Sequence, residues 1–528
     1  MDFLSELYQE KILPTVWRNR STRIRAISIT AVVLLAVVYR VYRKITVPPK
    51  SLRHIPTIDN IRLLRDIFAG KPIGVFAEEV TIPAGLNAPN GLYLRSERGG
   101  WTVRIQDPVA IKKLLLNTDI FPKNVPPSRV VGTLLHRLLL GPNILMTNGE
   151  EWKMHRKIAN PAFHRSTPVE LFGFLANKTL KIMDGMGKTV DFSNLMTRLT
   201  LDAIGLAAFG FNFHAIDDAN SEWVLRYNGF MRQIANPLYL MFPILERRFL
   251  WLFPGRKKAH DDLSAFLQML DTVIEHKRQL LKNHRSPEKD HEKDLLTLMI
   301  ENEDRGEGGL TNEQLKSDLC VFFVAGHDTT SSALAFAAYY LAKNPDIQEK
   351  ARQEALSVLG DYSDDVMPTL EQVKSMKYIT CIIKETLRIM PPIGSSLLRV
   401  AAKDTELNGV FIPKGTKLGI DVYETHHNPR FWKDPDVFNP DRFADGGEAS
   451  EKSASDGYFW VPFGNGSRQC LGMNFSLVEQ SVLLPLLLRK YEWTLPEDSI
   501  HKDRLMSRGI GLLMVKDLQI AFKKRSVA

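Results

Sequence analysis

At 528 residues, 44% apolar and 24% charged, the chain is too apolar to be disordered and too charged to be membrane-embedded throughout. Lysine and arginine outnumber aspartate and glutamate by 69 to 60, a net +9 that suits an anionic membrane or an acidic protein partner; no dense basic run with interleaved aromatics supports nucleic acid. Cys320, Cys381 and Cys470 form no C-x-x-C pair and no disulfide framework, and His291-Glu292 lacks the second histidine of a zinc-protease helix, which sets structural zinc aside.

The first element is an apolar stretch over residues 24–42, free of charge over 26–39. That is short of the roughly 20 residues of a spanning helix, but Arg25 and Arg40 at its ends can snorkel and lengthen it. It precedes a Pro48-Pro49 hinge, so residues 1–50 are expected to form a membrane anchor and 51–528 a separate catalytic domain. A mitochondrial presequence is the competing reading of Arg18, Arg20, Arg23 and Arg25; Asp2, Glu6 and Glu10 make the start too acidic for one. Flanking charges are nearly balanced and set no orientation.

Beyond the hinge, helical periodicity dominates, with strand-like runs near 91–105, 397–401 and 510–522. A mainly α fold with a small β region is expected. Residues 236–243 and 249–254 are unusually apolar for a connection between helices, and the polar interval 284–309 reads as a surface connection. Thr311, with Gln314 as capping-box partner, predicts a helix running to about Lys343, apolar nearly all round from Leu319 to Ala342 and so crossing the core. One helix of roughly 50 Å at 1.5 Å per residue argues for a single large domain. Pro485 is expected to kink or interrupt the apolar helix that follows Cys470.

The sharpest signal is Phe463-Gly-Asn-Gly-Ser-Arg-Gln-Cys-Leu-Gly472. An iron-binding thiolate needs N–H donors aimed at its sulfur, and a glycine turn at Gly466 brings the backbone close enough. Gly472 removes a side chain where the next helix would press on a flat macrocycle. Arg468 can reach a carboxylate, and Phe463 can cover the thiolate. A buried cysteine beside a glycine turn is the bland alternative; six jointly placed elements in ten residues argue against it.

This segment matches F-x-x-G-x-R-x-C-x-G, the signature of the cytochrome P450 haem-thiolate monooxygenases, and the resemblance extends from about residue 50 over nearly the whole chain. Ala325-Gly-His-Asp-Thr-Thr330 resembles the family's oxygen-binding groove. By that resemblance Gly326 leaves room for O2, Asp328 and Thr329 deliver protons, and His327 is a helix-face residue rather than a ligand. Glu385 and Arg388 resemble the E-x-x-R helix, and Arg442 the arginine completing its ion network; all three are structural. Trp152, Arg156 and Arg399 stand where the family faces the haem propionates. The implied cofactor is haem b, iron protoporphyrin IX, with Cys470 as axial ligand. Cysteinate ligation favours O–O cleavage over reversible O2 carriage.

No Gly-x-Gly-x-x-Gly nucleotide loop is present, so a separate electron donor is expected. The resemblance implies that electrons come from NADPH through a flavoprotein, NADPH-cytochrome P450 reductase, with cytochrome b5 as a further candidate donor. Lys153, Arg156 and Lys157 could contribute to its docking face. The apolar 236–254 region resembles a lid that dips into membrane, and Ile393-Gly-Ser-Ser396 and Gly509-Ile-Gly-Leu512 stand at pocket-lining positions. A lipophilic substrate is implied: steroid, fatty acid or terpenoid. The resemblance implies an endoplasmic reticulum membrane protein with a single N-terminal span and a cytosolic catalytic domain; the sequon Asn465-Gly466-Ser467, where a sugar would obstruct the loop, agrees with that side. Competing functions are isomerisation or dehydration without O2, for which the acid–threonine pair is commonly missing, a haem sensor, or an inactive scaffold. The intact Asp328-Thr329 pair and Cys470 argue against all three.

Overall fold

The computed structural model describes residues 20–97, 100–125, 128–165, 167–234, 236, 238–239, 242–283, 293–304, 309–361, 365–453, 455–508 and 511–526. Asp2, Glu6, Glu10, Arg18, His291-Glu292 and Gly509-Ile510 lie outside the described residues.

The longer helices, numbered in chain order, are α1 (Arg20–Thr46), α2 (Gly149–Arg165), α3 (Val169–Asp184), α4 (Phe192–Ile204), α5 (Glu222–Ile234), α6 (Pro254–Asn283), α7 (Leu295–Asp304), α8 (Asn312–Lys343), α9 (Pro345–Leu359), α10 (Lys377–Ile389) and α11 (Met473–Lys490). The strands are β1 (Leu92–Glu97), β2 (Gly100–Ile105), β3 (Thr189–Asp191), β4 (Arg399–Val400), β5 (Thr405–Leu407), β6 (Val410–Ile412), β7 (Lys417–Ile420), β8 (Tyr491–Thr494), β9 (Ser507–Arg508), β10 (Met514–Val515) and β11 (Gln519–Lys524).

α8 is the axis of the domain. Thr311 caps it, its hydroxyl accepting from Gln314 N while the Gln314 side chain accepts from Thr311 N, the expected capping box. Nearly every residue from Leu315 to Ala342 is buried, because α4, α6, α10 and α11 pack around it. One large hydrophobic cluster surrounds this axis, and a smaller one, with Leu92, Leu94, Val103 and Ile105, lies beneath the sheet.

That sheet has the order β1-β2-β7-β4, with β2 and β7 parallel and the other pairs antiparallel. A second sheet, β3-β11-β8, ties the chain end to the domain. Strands thus form at all three expected places. Buried charge braces the first sheet: Arg104 pairs with Asp421 and also reaches Ser395 over 2.8 Å, while Tyr93 donates to the same carboxylate.

α1 stands off the domain. Its apolar side chains Ile27, Val32, Leu35 and Val38 are exposed, and Trp101 Nε1 donates to Lys44 O near its end. Two sequence expectations need correction. The 284–309 interval is no mere surface connection, since Leu295–Ile300 of α7 are fully buried against α2 and α6. Pro485 does not interrupt α11, which continues to Lys490. It is buried among neighbours that hold the helix together despite the missing N–H.

Candidate active site

The cysteine loop is built as the glycines suggest. Gly464 and Gly466 adopt φ of +64° and +71°, left-handed values at which a side chain is strained. The turn lets Cys470 N donate to Phe463 O over 2.9 Å. Cys470 presents open surface although protein surrounds it: burial pushes its thiol up, opposed by the Gly472 N–H and by the Arg156 cation. A methyl added at Gly472 would meet nothing closer than Phe163 at 3.9 Å, so its face is free to meet a flat group.

α8 meets the first turns of α11, the helix that follows the loop, where Thr330 and Ser476 share a hydrogen bond of 3.0 Å. On this otherwise buried helix Ala325 is exposed and Thr329 half-buried, an open strip on the same helix as that contact. Thr329 Oγ1 donates back to Ala325 O over 2.5 Å. Gly326 also has a packing contact: a Cβ there would lie 2.7 Å from Ile204 Cδ1, so a side chain would press on α4, while Ala325 and Thr329 carry the open face. Asp328 also turns away from Thr329 into a buried layer: its carboxyl accepts from Tyr227 of α5 over 3.5 Å.

A cluster of cations faces the loop. Arg468 donates to Thr147 O and Asn148 Oδ1 at 2.7 and 3.1 Å and lies 3.9 Å over the Trp152 ring; its Nε is buried without a partner. Arg399, 3% exposed, donates to Phe121 O. Arg156 donates to Gln469 O over 2.9 Å, bonding the loop itself rather than presenting both its ends to a carboxylate. Lys123, which the sequence reading did not single out, joins them: its backbone and Asn148 exchange two hydrogen bonds. Burial first, then mutual repulsion, lowers Arg468 to about 9 and Lys123 to about 7, and burial lowers Arg399 to about 10. Cations held together at such cost call for an anion, and two carboxylates of a porphyrin would satisfy them.

Behind the loop, Arg388 binds Glu385 bidentately at 2.7 and 2.9 Å, and Arg442 Nε approaches the same carboxylate at 3.4 Å. Arg388 Nη1 then donates to His426 O, and His426 Nε2 accepts from Val461 N over 3.0 Å, two residues before Phe463. His426 is the link missing from the sequence reading. With Nε2 accepting, Nδ1 carries the proton and faces Arg388 O at 3.1 Å; burial holds the ring's pKa far below its usual value, so it stays neutral.

Residues 98–521 match the family described as Cytochrome P450. The chain belongs to the cytochrome P450 family. It is 31% identical to cytochrome P450 3A2 of Rattus norvegicus over 67% of this chain and 70% of the relative. It is 30% identical to cytochrome P450 3A5 of Homo sapiens over 66% and 69%. Its fold superposes on the crystal structure of the cytochrome P450DA haem domain with a TM-score of 0.74, covering 89% of this chain and 98% of that one at 23% identity. This P450 is therefore a haem-iron monooxygenase, an oxidoreductase acting with O2 on a small molecule, as membership of the family shows. The expected P450 fold, mainly helical with a small β region, is the fold observed.

Proposed function

We propose that this P450 hydroxylates a bulky lipophilic substrate of the steroid, fatty acid or terpenoid kind at the endoplasmic reticulum membrane. The observation that carries the reading is the apolar surface between α5 and α6, where Phe242, Ile244, Phe249, Trp251 and Leu252 are all exposed, Trp251 by 72%. A soluble surface rarely gathers so many large apolar side chains, and α1 adds a second apolar face. Residues 1–50 act as a single-span anchor and 51–528 as the catalytic domain. Electrons come from NADPH through NADPH-cytochrome P450 reductase, with cytochrome b5 as an optional second donor.

In this reading the Cys470 thiolate would hold the haem iron, with Phe463, Gly466 and Gly472 shaping the surroundings of its sulfur. Arg468, Arg399 and Lys123 would hold the propionates, while Arg156 and Trp152 would brace that side. Bound haem supplies the redox chemistry that splits O2. The protein's own residues orient substrate, exclude water and move protons, the last through Thr329 in the open strip and Asp328 behind it. Glu385, Arg388 and Arg442 keep the loop in place.

The test is product analysis. Membranes carrying the full chain and a reductase are given NADPH and a panel of steroids and long-chain fatty acids, with Cys470→Ala as control. An NADPH-dependent hydroxylated product, absent in the control, is expected. A normal reduced carbon-monoxide spectrum with no product from the panel would retain the haem site and reject this substrate class.

A further inference from the structure

The carboxyl of Asp328 lies in a buried polar layer between α8, α4 and α5, away from the open strip. His327 is fully buried beside it. Thr200 of α4 and His327 Nδ1 are 3.0 Å apart, and His327 Nε2 lies 3.6 Å from Asp328 Oδ1. Tyr227 of α5 packs edge-on against the imidazole, centroids 5.0 Å apart, and its hydroxyl donates to Asp328 Oδ2.

The hydrogen bonds of Thr200 decide which nitrogen of His327 carries the proton. Thr200 Oγ1 sits within 3.0 Å of Met196 O and 3.3 Å of Thr197 O, both acceptors only. A threonine has one hydroxyl proton, and in this geometry it goes to its own helix turn. Thr200 therefore accepts from His327 Nδ1–H. Nε2 is then a bare lone pair, buried and without a hydrogen-bond partner, pointing at a carboxyl oxygen. Two lone pairs at that distance repel in a low dielectric, and a single proton on Oδ1 relieves both groups.

We propose that His327 and Tyr227 are positioning residues that hold Asp328 in its protonated form, Oδ1–H toward His327 Nε2, as a loaded acid behind Thr329. Burial lowers His327 to about 3, so the imidazole does not take that proton for itself. Tyr227, its phenol pushed up by burial, stays a donor and stabilises the carboxylate left when the proton departs. The step is a plain transfer: the O–H bond at Oδ1 breaks, the proton passes to water or hydroxyl at Thr329, and solvent returns one proton to Asp328. Because α5 adjoins the apolar segment described above, the holding contact comes from an element on the substrate side of the molecule.

The inference rests on the reading of Asp328 and Thr329 as the proton path, and its test separates the two. Infrared spectra of the full-length holoenzyme should contain a protonated-carboxyl C=O band that shifts in D2O and vanishes in Asp328→Asn. Buried Glu479 and Glu424 contribute bands that this difference removes. In His327→Leu and Tyr227→Phe the band should be displaced, and in His327→Gln, whose amide oxygen can replace the lone pair, it should stay. With histidine 15N-labelled, His327 should show a protonated Nδ1 and a bare Nε2. His327→Leu, with a normal reduced carbon-monoxide spectrum as proof of folding, should lose about tenfold in kcat at unchanged KM. Its solvent isotope effect should rise and more peroxide should be released; a tenfold loss is a fraction of the roughly 10²–10⁴ that a positioned acid contributes, as fits a residue that holds the acid rather than being it. His327→Gln should recover most of it. An unchanged carboxyl region in Asp328→Asn, or a protonated Nε2, would overturn the proposal. A vanished band with coupling intact in Asp328→Asn would keep the protonated acid and reject Asp328 as the path.

Discussion

Burial keeps Glu479 on α11 uncharged: its carboxyl is pushed up to about 8, and one of its oxygens has no hydrogen-bond partner. An unfolded glutamate titrates near about 4.3. Below that value both states hold the proton and burial costs nothing on this account. As pH rises, the unfolded chain gives up its proton while the folded chain keeps it, so stability falls until about pH 8. The slope from this group is at most about 1.4 kcal/mol per pH unit. Glu479→Gln should flatten that slope and unfold later than the parent at pH 8 but not at pH 4, as thermal unfolding across pH will read. Lys123 gives the second prediction at this scale. Held near 7 without an anion beside it, it must take up a proton when propionates arrive above that pH. Haem affinity should therefore fall as pH rises from 6 to 8, and Lys123→Met should weaken haem binding at pH 6 and remove most of that dependence. Haem titration of the apoprotein in dilute buffer measures both affinity and proton uptake.

At the scale of elements, α10 and the cysteine loop communicate through a buried chain of contacts. Glu385 and Arg388 are both fully buried, so removing one partner strands the other's charge, at about 3–5 kcal/mol. Arg388→Ala should fail to accumulate as folded protein. His426→Phe is the gentler probe. It keeps a flat ring, though a somewhat larger one, but leaves the Val461 N–H without its acceptor, about 1–3 kcal/mol at the root of the loop. The expected outcome is native helix content by circular dichroism with a weakened reduced carbon-monoxide spectrum. Equal spectra in parent and variant would mean that the loop holds itself. E-x-x-R is legible in the sequence because three-residue spacing puts both groups on one helix face. His426 is not, since a lone histidine 38 positions from Arg388 carries no local pattern.

For the whole molecule, membrane attachment should have two parts. α1 leaves its apolar side chains exposed, and so does the surface with Phe249, Trp251 and Leu252. Removing residues 1–46 should therefore leave the domain partly bound to vesicles. Adding Phe249→Ser, Trp251→Ser and Leu252→Ser should release it by about a further hundredfold, since each large apolar side chain contributes up to about 1.5–3 kcal/mol when fully buried. Sedimentation with neutral vesicles checks this. Complete release by the deletion alone would leave α1 as the sole attachment.

The sequence by itself determined what local chemistry can encode. The glycine turn at Gly466, the capping box that starts α8, the apolar run that buries that helix and the joint spacing around Cys470 are all written within a few residues. The tertiary structure decided what needs a neighbour from elsewhere. It set Ile204 against Gly326, brought Lys123 beside Arg468 and Arg399, and kept α11 continuous through Pro485. It also turned Asp328 toward Tyr227, more than a hundred residues earlier in the chain. Spacing fixes which side chains share a face, whereas the partner on that face is chosen by packing between distant segments.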